Sequence, residues 1–202
     1  MPENKDSYKT IKGKGEPTLF KDRGSKFIGQ AHPVSDENEI QSVLQELTAE
    51  HPKASHICYA WQLGYNYESY RANDDGEPSN SAGLPIYGQL QSFNLTNVLV
   101  TVIRYYGGTN LGVGGLIQAY KTSAQEAIEA SHIVTRTIKQ NLHLNFDYPL
   151  MHTVMRIIKE ERLVVKKQDL GLDCNFTLLI RQKDFKRLKD RFEVVYGISV
   201  KS

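Results

Sequence analysis

Hydrophobic positions in the first third of the chain recur at two different periods. Around "PTLFKDRGSKFIGQAHPV" (residues 17–34) the pattern is extended on both sides of Asp22-Arg23-Gly24, a turn-forming cluster, which predicts a β-hairpin. From Ser35 to His51, Ile40, Val43, Leu44 and Leu47 fall at helical spacing. Asp36 with Glu39 gives a capping-box pattern and Pro52 closes the segment, so a helix is expected there. "HICYAWQLGYNYESYRA" (56–72) alternates, with Ile57, Tyr59, Trp61 and Leu63 on one face, then turns near Gly64; two antiparallel strands are predicted.

"GLPIYGQLQSF" (83–93) reads as a short helix with Pro85 in its first turn, and "NVLVTVIRYY" (97–106), rich in β-branched residues, as a buried central strand. A long packed helix follows over "LIQAYKTSAQEAIEASHIV" (116–134), with Leu116, Ile117, Tyr120, Ala124, Ala127 and Ile128 on its apolar side.

Beyond residue 134 the rhythm changes. A strand over 135–147, a helix over 148–161, strands over 163–170 and 173–182, a helix over 183–192 and a strand over 194–200 give βαββαβ, the split unit of a ferredoxin-like sandwich. The chain is therefore read as α+β with two domains, residues 1–134 and 135–202.

Charge sharpens that division. Residues 1–134 hold 11 Lys/Arg against 15 Asp/Glu, a balance of −4, whereas residues 135–202 hold 14 against 8, a balance of +6. The basic third is the part expected to meet phosphate or an acidic partner. No apolar run reaches the roughly 18 residues of a membrane span, and the polar first residues do not resemble a signal peptide, so a cytoplasmic protein is expected. Cys58 and Cys174 lie far apart, which argues for two free buried thiols over a zinc knuckle or disulfide; no metal and no cofactor are expected.

Two stretches carry candidate chemistry. In "NDDGEPSNSAGLPI" (73–86), Asp74, Asp75 and Glu77 put three carboxylates in four residues. They suit acid/base work or a metal if a phosphate-bearing ligand lies nearby. They equally suit a turn at Asp74-Asp75-Gly76, with Ser79, Asn80 or Ser81 capping the next helix.

In "RYYGGTNLGVGGLIQAY" (104–120), Gly107, Gly108, Gly112 and Gly114 either form a nest of N–H groups for an anion at a helix N-terminus or let a strand turn sharply into a helix. Neither nucleotide fingerprint fits. Arg104, at the end of a buried strand, needs an anionic partner, and Asp74, Asp75 or Glu77 can supply it. Together with Ser81 and Tyr105 these residues define a candidate ligand or partner surface.

Nucleophile elbows and metallopeptidase motifs are absent, and His56 beside Cys58 reads as two structural strand residues; no catalytic residue is assigned. In "RQKDFKRLKDR" (181–191), Arg181, Lys183, Lys186, Arg187, Lys189 and Arg191 surround Phe185 and Leu188. This is a basic helix face, either simply solvated or binding RNA or the ribosome. No RNP-type aromatic motif accompanies it.

The two dense stretches, in this order and separated by one helix and one strand, closely resemble the IMPACT family (UPF0029, bacterial YigZ/YvyE type). "SKFIGQAHPV" and "ASHICYAWQLG" fit as well, so the resemblance spans about residues 15–131. It implies an N-terminal ribosomal protein S5 domain 2-like fold and a basic C-terminal domain of the kind found in bacterial members. Those two shapes also occur side by side in elongation factor G. Eukaryotic relatives regulate translation, with an additional RWD domain that has no counterpart in these 202 residues.

Some members carry a proline-dipeptidase label, which the missing metal ligands do not support. Where the family usually reads Glu-Pro-x-Gly-Thr-Ala-Gly, this chain has Glu77-Pro78-Ser79-Asn80-Ser81-Ala82-Gly83; Asn and Ser keep a φ-permissive residue and a hydroxyl, so the loop shape is expected to survive.

The expected function is that of a non-enzymatic, translation-associated regulator binding RNA, the ribosome or a translation-factor partner. The alternative is an enzyme or sensor binding a phosphorylated small molecule between the acidic and glycine-rich loops.

Overall fold

Residues 6–201 are described by the structure, a computed structural model. Its contacts divide the chain into two units, one of residues 8–136 and one of residues 137–201 with Asp6 and Ser7.

In the first unit, β1 (Ser7–Ile11) pairs with β7 (Ile133–Thr137) in a two-stranded ribbon. The main sheet holds β2 (Thr18–Asp22), β3 (Ser25–Pro33), β4 (His56–Leu63), β5 (Ser69–Asn73) and β6 (Val98–Tyr105) in the order β2-β3-β6-β4-β5, antiparallel throughout. The expected hairpin turns at Arg23-Gly24, both with positive φ. Strand β6 is central, and its side chains are buried from Val98 to Arg104, because helices cover both faces of the sheet.

Helix α1 (Glu37–Glu50) takes one face, packing Ile40 with Val34, Trp61, Leu63 and Leu99. The Asp36 carboxylate caps it by accepting from Asn38 and Glu39 N–H. Glu39 reaches back one residue further than a simple capping box, to Ser35 N–H.

The other face is covered by α2 (Gly83–Ser92) and α3 (Gly112–Glu129), which bury Ile86, Leu90, Tyr120, Ala124 and Ile128 against Phe27, Ala31, Cys58, Ala60, Val100 and Val102. Each large apolar side chain so buried contributes about 1.5–3 kcal/mol. The apolar side of α3 differs by one step from expectation: Ile117 is 39% exposed, whereas Ala119 and Ser123 are buried. Small residues let α3 lie close on β3.

The second unit runs β8 (Lys139–Phe146), α4 (Met151–Glu160), β9 (Val164–Leu170), β10 (Cys174–Arg181), α5 (Gln182–Glu193) and β11 (Ile198–Lys201), which is βαββαβ. The sheet order is β11-β8-β10-β9, all antiparallel. Leu142, Leu144, Phe146, Phe176, Leu178 and Ile180 pack under Val154, Ile157 and Ile158 of α4 and Leu188 and Phe192 of α5.

Two expected strands are shorter than read. The segment 135–147 breaks at Ile138, whose backbone bonds instead to Asp6 O and Gln182 N–H. The last strand begins only at Ile198, after Gly197 turns the chain with φ +91°.

Candidate functional site

Cross-strand register assembles the first site. His56 on β4 and Phe27 on β3 both sit opposite Arg104 on β6, a row of three side chains at one end of the sheet. The acidic loop that follows β5 closes over this row. Of the three candidate carboxylates, Glu77 is the one that meets Arg104: Nη1 donates to Oε1 at 2.6 Å, with both side chains almost wholly buried.

The Tyr120 hydroxyl of α3 donates to the same oxygen at 2.8 Å, and the Cys58 thiol lies 3.3 Å from that hydroxyl and 3.0 Å from Asp74 O. His56 Nε2 is 3.9 Å from Glu77 Oε1, while its Nδ1 is held 2.7 Å from Asp75 O. The guanidinium is flanked by the rings of Phe27 and Tyr106 at 5.5 and 5.4 Å, and its Nη2 approaches Ser25 Oγ at 3.4 Å. Aromatic faces are a favourable setting for a desolvated cation.

The remaining two carboxylates of the loop are occupied by backbone. Asp74 accepts from the N–H groups of Asn80, Ala82 and Gly83, so it, and not Ser79, Asn80 or Ser81, caps the start of α2. Asp75 accepts from Ile57 N–H at 2.6 Å. Ser81 is buried and donates to Pro78 O. Asn80, where the resemblance places Gly, adopts φ +64°, a left-handed conformation that Asn tolerates.

The glycine-rich segment divides by role. A Cβ on Gly107 would fall 1.9 Å from the carbonyl carbon of Gly24, so the two turns can touch only because neither has a side chain there. Ser25 Oγ accepts from Gly107 N–H at 3.2 Å and ties them together. Gly108 and Gly112 have positive φ, and Gly114 faces open space at the start of α3, whose first turn has no side-chain cap. Tyr105 does not join this cluster. Strand alternation sends it to the opposite face, where its hydroxyl lies 2.8 Å from His51 Nδ1.

Chemically the cluster is closed. Burial pushes the Cys58 thiol well above its ordinary range, the neighbouring Glu77, Asp75 and Asp74 carboxylates adding to the effect against the Tyr120 hydrogen bond, so no thiolate forms at neutral pH. Tyr120 is likewise pushed up, first by burial and then by Cys58 and Glu77. Among the described residues, no group of three His, Cys, Asp or Glu is placed to hold a metal ion. Ser25, Phe27, Cys58 and Tyr120 belong to the cluster but carry no sequence signal beyond ordinary core patterning, since strand register and the packing of α3 on the sheet bring them together.

On the C-terminal unit, the basic side chains named from the sequence are partly engaged. Both Arg187 nitrogens donate to Glu161, at 2.9 and 2.8 Å, and Arg191 bonds to Glu161 and Glu160. Lys189 lies 3.8 Å from Glu193, and Arg181 pairs with Asp6 at 2.6 Å. Lys183 and Lys186 are exposed. The hydrogen bond from Arg187, more than any other factor, draws the Glu161 carboxyl down to about 2.

Fold and site together define a two-unit mixed α/β protein in which the acidic and glycine-rich segments lock onto each other through a buried ion pair. Residues 23–128 match the Impact N-terminal domain. The chain is 33% identical over 178 residues to the IMPACT family member YvyE of Bacillus subtilis, covering 88% of this chain and 82% of that one. It thus belongs to the IMPACT family.

It is also 36% identical over 106 residues to the family member YigZ of Escherichia coli, about half of each chain. A solved crystal structure described as that of a hypothetical protein aligns over 97% of both chains with a TM-score of 0.73 at 22% identity, a likeness of fold.

Proposed function

We propose that this protein is a non-enzymatic, translation-associated regulator whose basic C-terminal unit binds RNA. The observation that carries the reading is the charge division, +6 in residues 135–202 against −4 before them; the unit of residues 137–201 with Asp6, which folds around its own core, holds 13 Lys/Arg against 9 Asp/Glu, a balance of +4. Clustered cations on one unit are the electrostatic footprint of a polyanion partner. The translational context rests on the family resemblance, whose eukaryotic members regulate translation.

The domain assignments belong to the same proposal: residues 1–134 as an S5 domain 2-like unit and 135–202 as a ferredoxin-like one. The βαββαβ order and the β11-β8-β10-β9 sheet support the second.

The motif surface serves structure in this reading. Glu77 already neutralises Arg104, Asp74 and Asp75 already accept from backbone, and nothing there is poised to react. What favours the alternative, a phosphorylated ligand at the glycine-rich loop, is the uncapped and exposed start of α3.

Filter binding and ribosome co-sedimentation across a salt series separate the two. RNA or ribosome binding that weakens steeply between about 50 and 200 mM salt is expected. Absence of any salt-dependent association, together with thermal stabilisation by a phosphorylated small molecule, would overturn the proposal.

A further inference from the structure

Resting on that reading, we propose that RNA is seated on the uncovered face of the C-terminal sheet, and not on the outer face of α5. Helices α4 and α5 cover only one side of this sheet, the side to which Leu142, Leu144, Phe176 and Leu178 point. Alternation along each strand sends the intervening residues to the other side, and a bulge in β9, which leaves Lys166 without a partner between Lys167 and Val165, lets the consecutive Lys166 and Lys167 both reach it.

There the register sets Asn145 beside Asn175 and His143 beside Thr177, and each pair is hydrogen-bonded, at 2.9 and 3.1 Å. Ser199 and Lys201 of β11 continue the same rows next to Asn145 and His143. Together with Leu144 and Phe176, these six residues line a groove of about 340 Å³.

Cations stand on both sides of this polar floor. Lys201 lies on the β11 edge. Lys167, opposite Thr177, and Lys166, whose Nζ reaches Asn141 Oδ1 at 3.4 Å, lie on β9 at the other edge. Strand spacing puts the two edges about 14 Å apart. Among the described residues none of these three lysines is paired with a carboxylate, and Asp169 is the carboxylate that shares the face with them. The arginines of α5 differ in that respect: Arg187 and Arg191 are already held by Glu160 and Glu161, and a phosphate would have to displace those carboxylates.

The chemistry of the face selects the ligand. Free lysines are point-charge partners for phosphates, and amide, imidazole and hydroxyl groups can donate to and accept from ribose 2′-hydroxyls and base edges. Of the aromatic residues lining the groove, Phe176 packs into the core under the helices, which leaves the His143 imidazole as the ring on which a base can stack, a contact open to any base. Binding is therefore dominated by the backbone and its 2′-hydroxyls, with little sequence preference and a preference for RNA over DNA.

The test uses the full chain with a fluorescent, mixed-sequence single-stranded RNA and the DNA of the same sequence. Lys166→Glu/Lys167→Glu/Lys201→Glu should weaken RNA binding at least tenfold at low salt and flatten the salt dependence by about three phosphate contacts' worth. Lys183→Glu/Lys186→Glu on the helix side, which touches no ion pair of the fold, should change it by less than about threefold. Asn175→Ala/Thr177→Ala, which keeps the charge, should reduce the preference for RNA over DNA.

Unchanged thermal unfolding shows that each variant is folded. Binding lost in the helix variant but kept in the sheet variant would overturn this inference while leaving RNA binding in place; equal binding of DNA by the parent protein would overturn the RNA assignment. No binding by the parent protein would remove both this inference and the proposed function.

Discussion

Glu77 and Arg104 stand 27 residues apart in the chain, yet each is the other's counter-ion in a site with almost no access to water. Taking two charges out of water is costly, and their attraction compensates only while both are present. Replacing Glu77 alone leaves a guanidinium buried against Phe27 and Tyr106 with no counter-charge. Glu77→Leu is expected to cost about 3–5 kcal/mol, and Glu77→Leu/Arg104→Met to recover most of that loss. Urea unfolding of the two variants measures it, and a double variant no more stable than the single would sink this account of the pair.

That Arg104 needed an anion was legible from its place at the end of an apolar strand. Which of three neighbouring carboxylates would supply it was not, because the choice depends on how the loop folds back over β6.

At the scale of elements, most helices and strands follow from periodicity, and the failures share a cause. Ile117, being apolar, reads as part of the packed side of α3, but the sheet accepts Ala119 and Ser123 there instead. The run 135–147 reads as one strand, and the hydrogen bonds that Ile138 makes outside the ladder divide it.

The start of α2 is the clearest instance. Three local residues were available to cap it, and the cap is supplied by Asp74, eight and nine residues before the N–H groups it receives at the helix start. Asp74→Ala should therefore lower stability by about 1–2 kcal/mol, with Asp74→Asn intermediate, whereas Ser79→Ala should change it little. Thermal melts of the three variants decide between them, and a Ser79→Ala loss equal to that of Asp74→Ala would reassign the cap.

Considered as a whole, the molecule packs one apolar cluster on each face of the five-stranded sheet, the two sharing its strands, and a further one under α4 and α5. Separate cores imply separate opening events. Native-state hydrogen exchange in graded denaturant should resolve two families of slow amides, those of β3, β4 and β6 and those of β8 and β10, with opening free energies differing by about 1 kcal/mol or more. A single common isotherm for both would mean that the chain unfolds as one cooperative block.

The division of charge falls close to the same line, and it places the net positive charge on the smaller unit. Where on that unit they remain free is a tertiary matter, because Glu160 and Glu161 end one helix and neutralise arginines of the other.

Periodicity, turn chemistry and charge balance sufficed, from the sequence alone, for the βαββαβ order, the buried central strand, the acidic first two-thirds and basic last third, and the family resemblance. All of these depend on residues close together along the chain. The tertiary structure alone decided that Glu77 takes Arg104, that Tyr120 and Cys58 join them, that Tyr105 turns away, and that the basic helix is partly silenced while the sheet face stays open. Those outcomes depend on strand register and on loops folding back across distant segments, and a pairing set by register has no counterpart in local spacing.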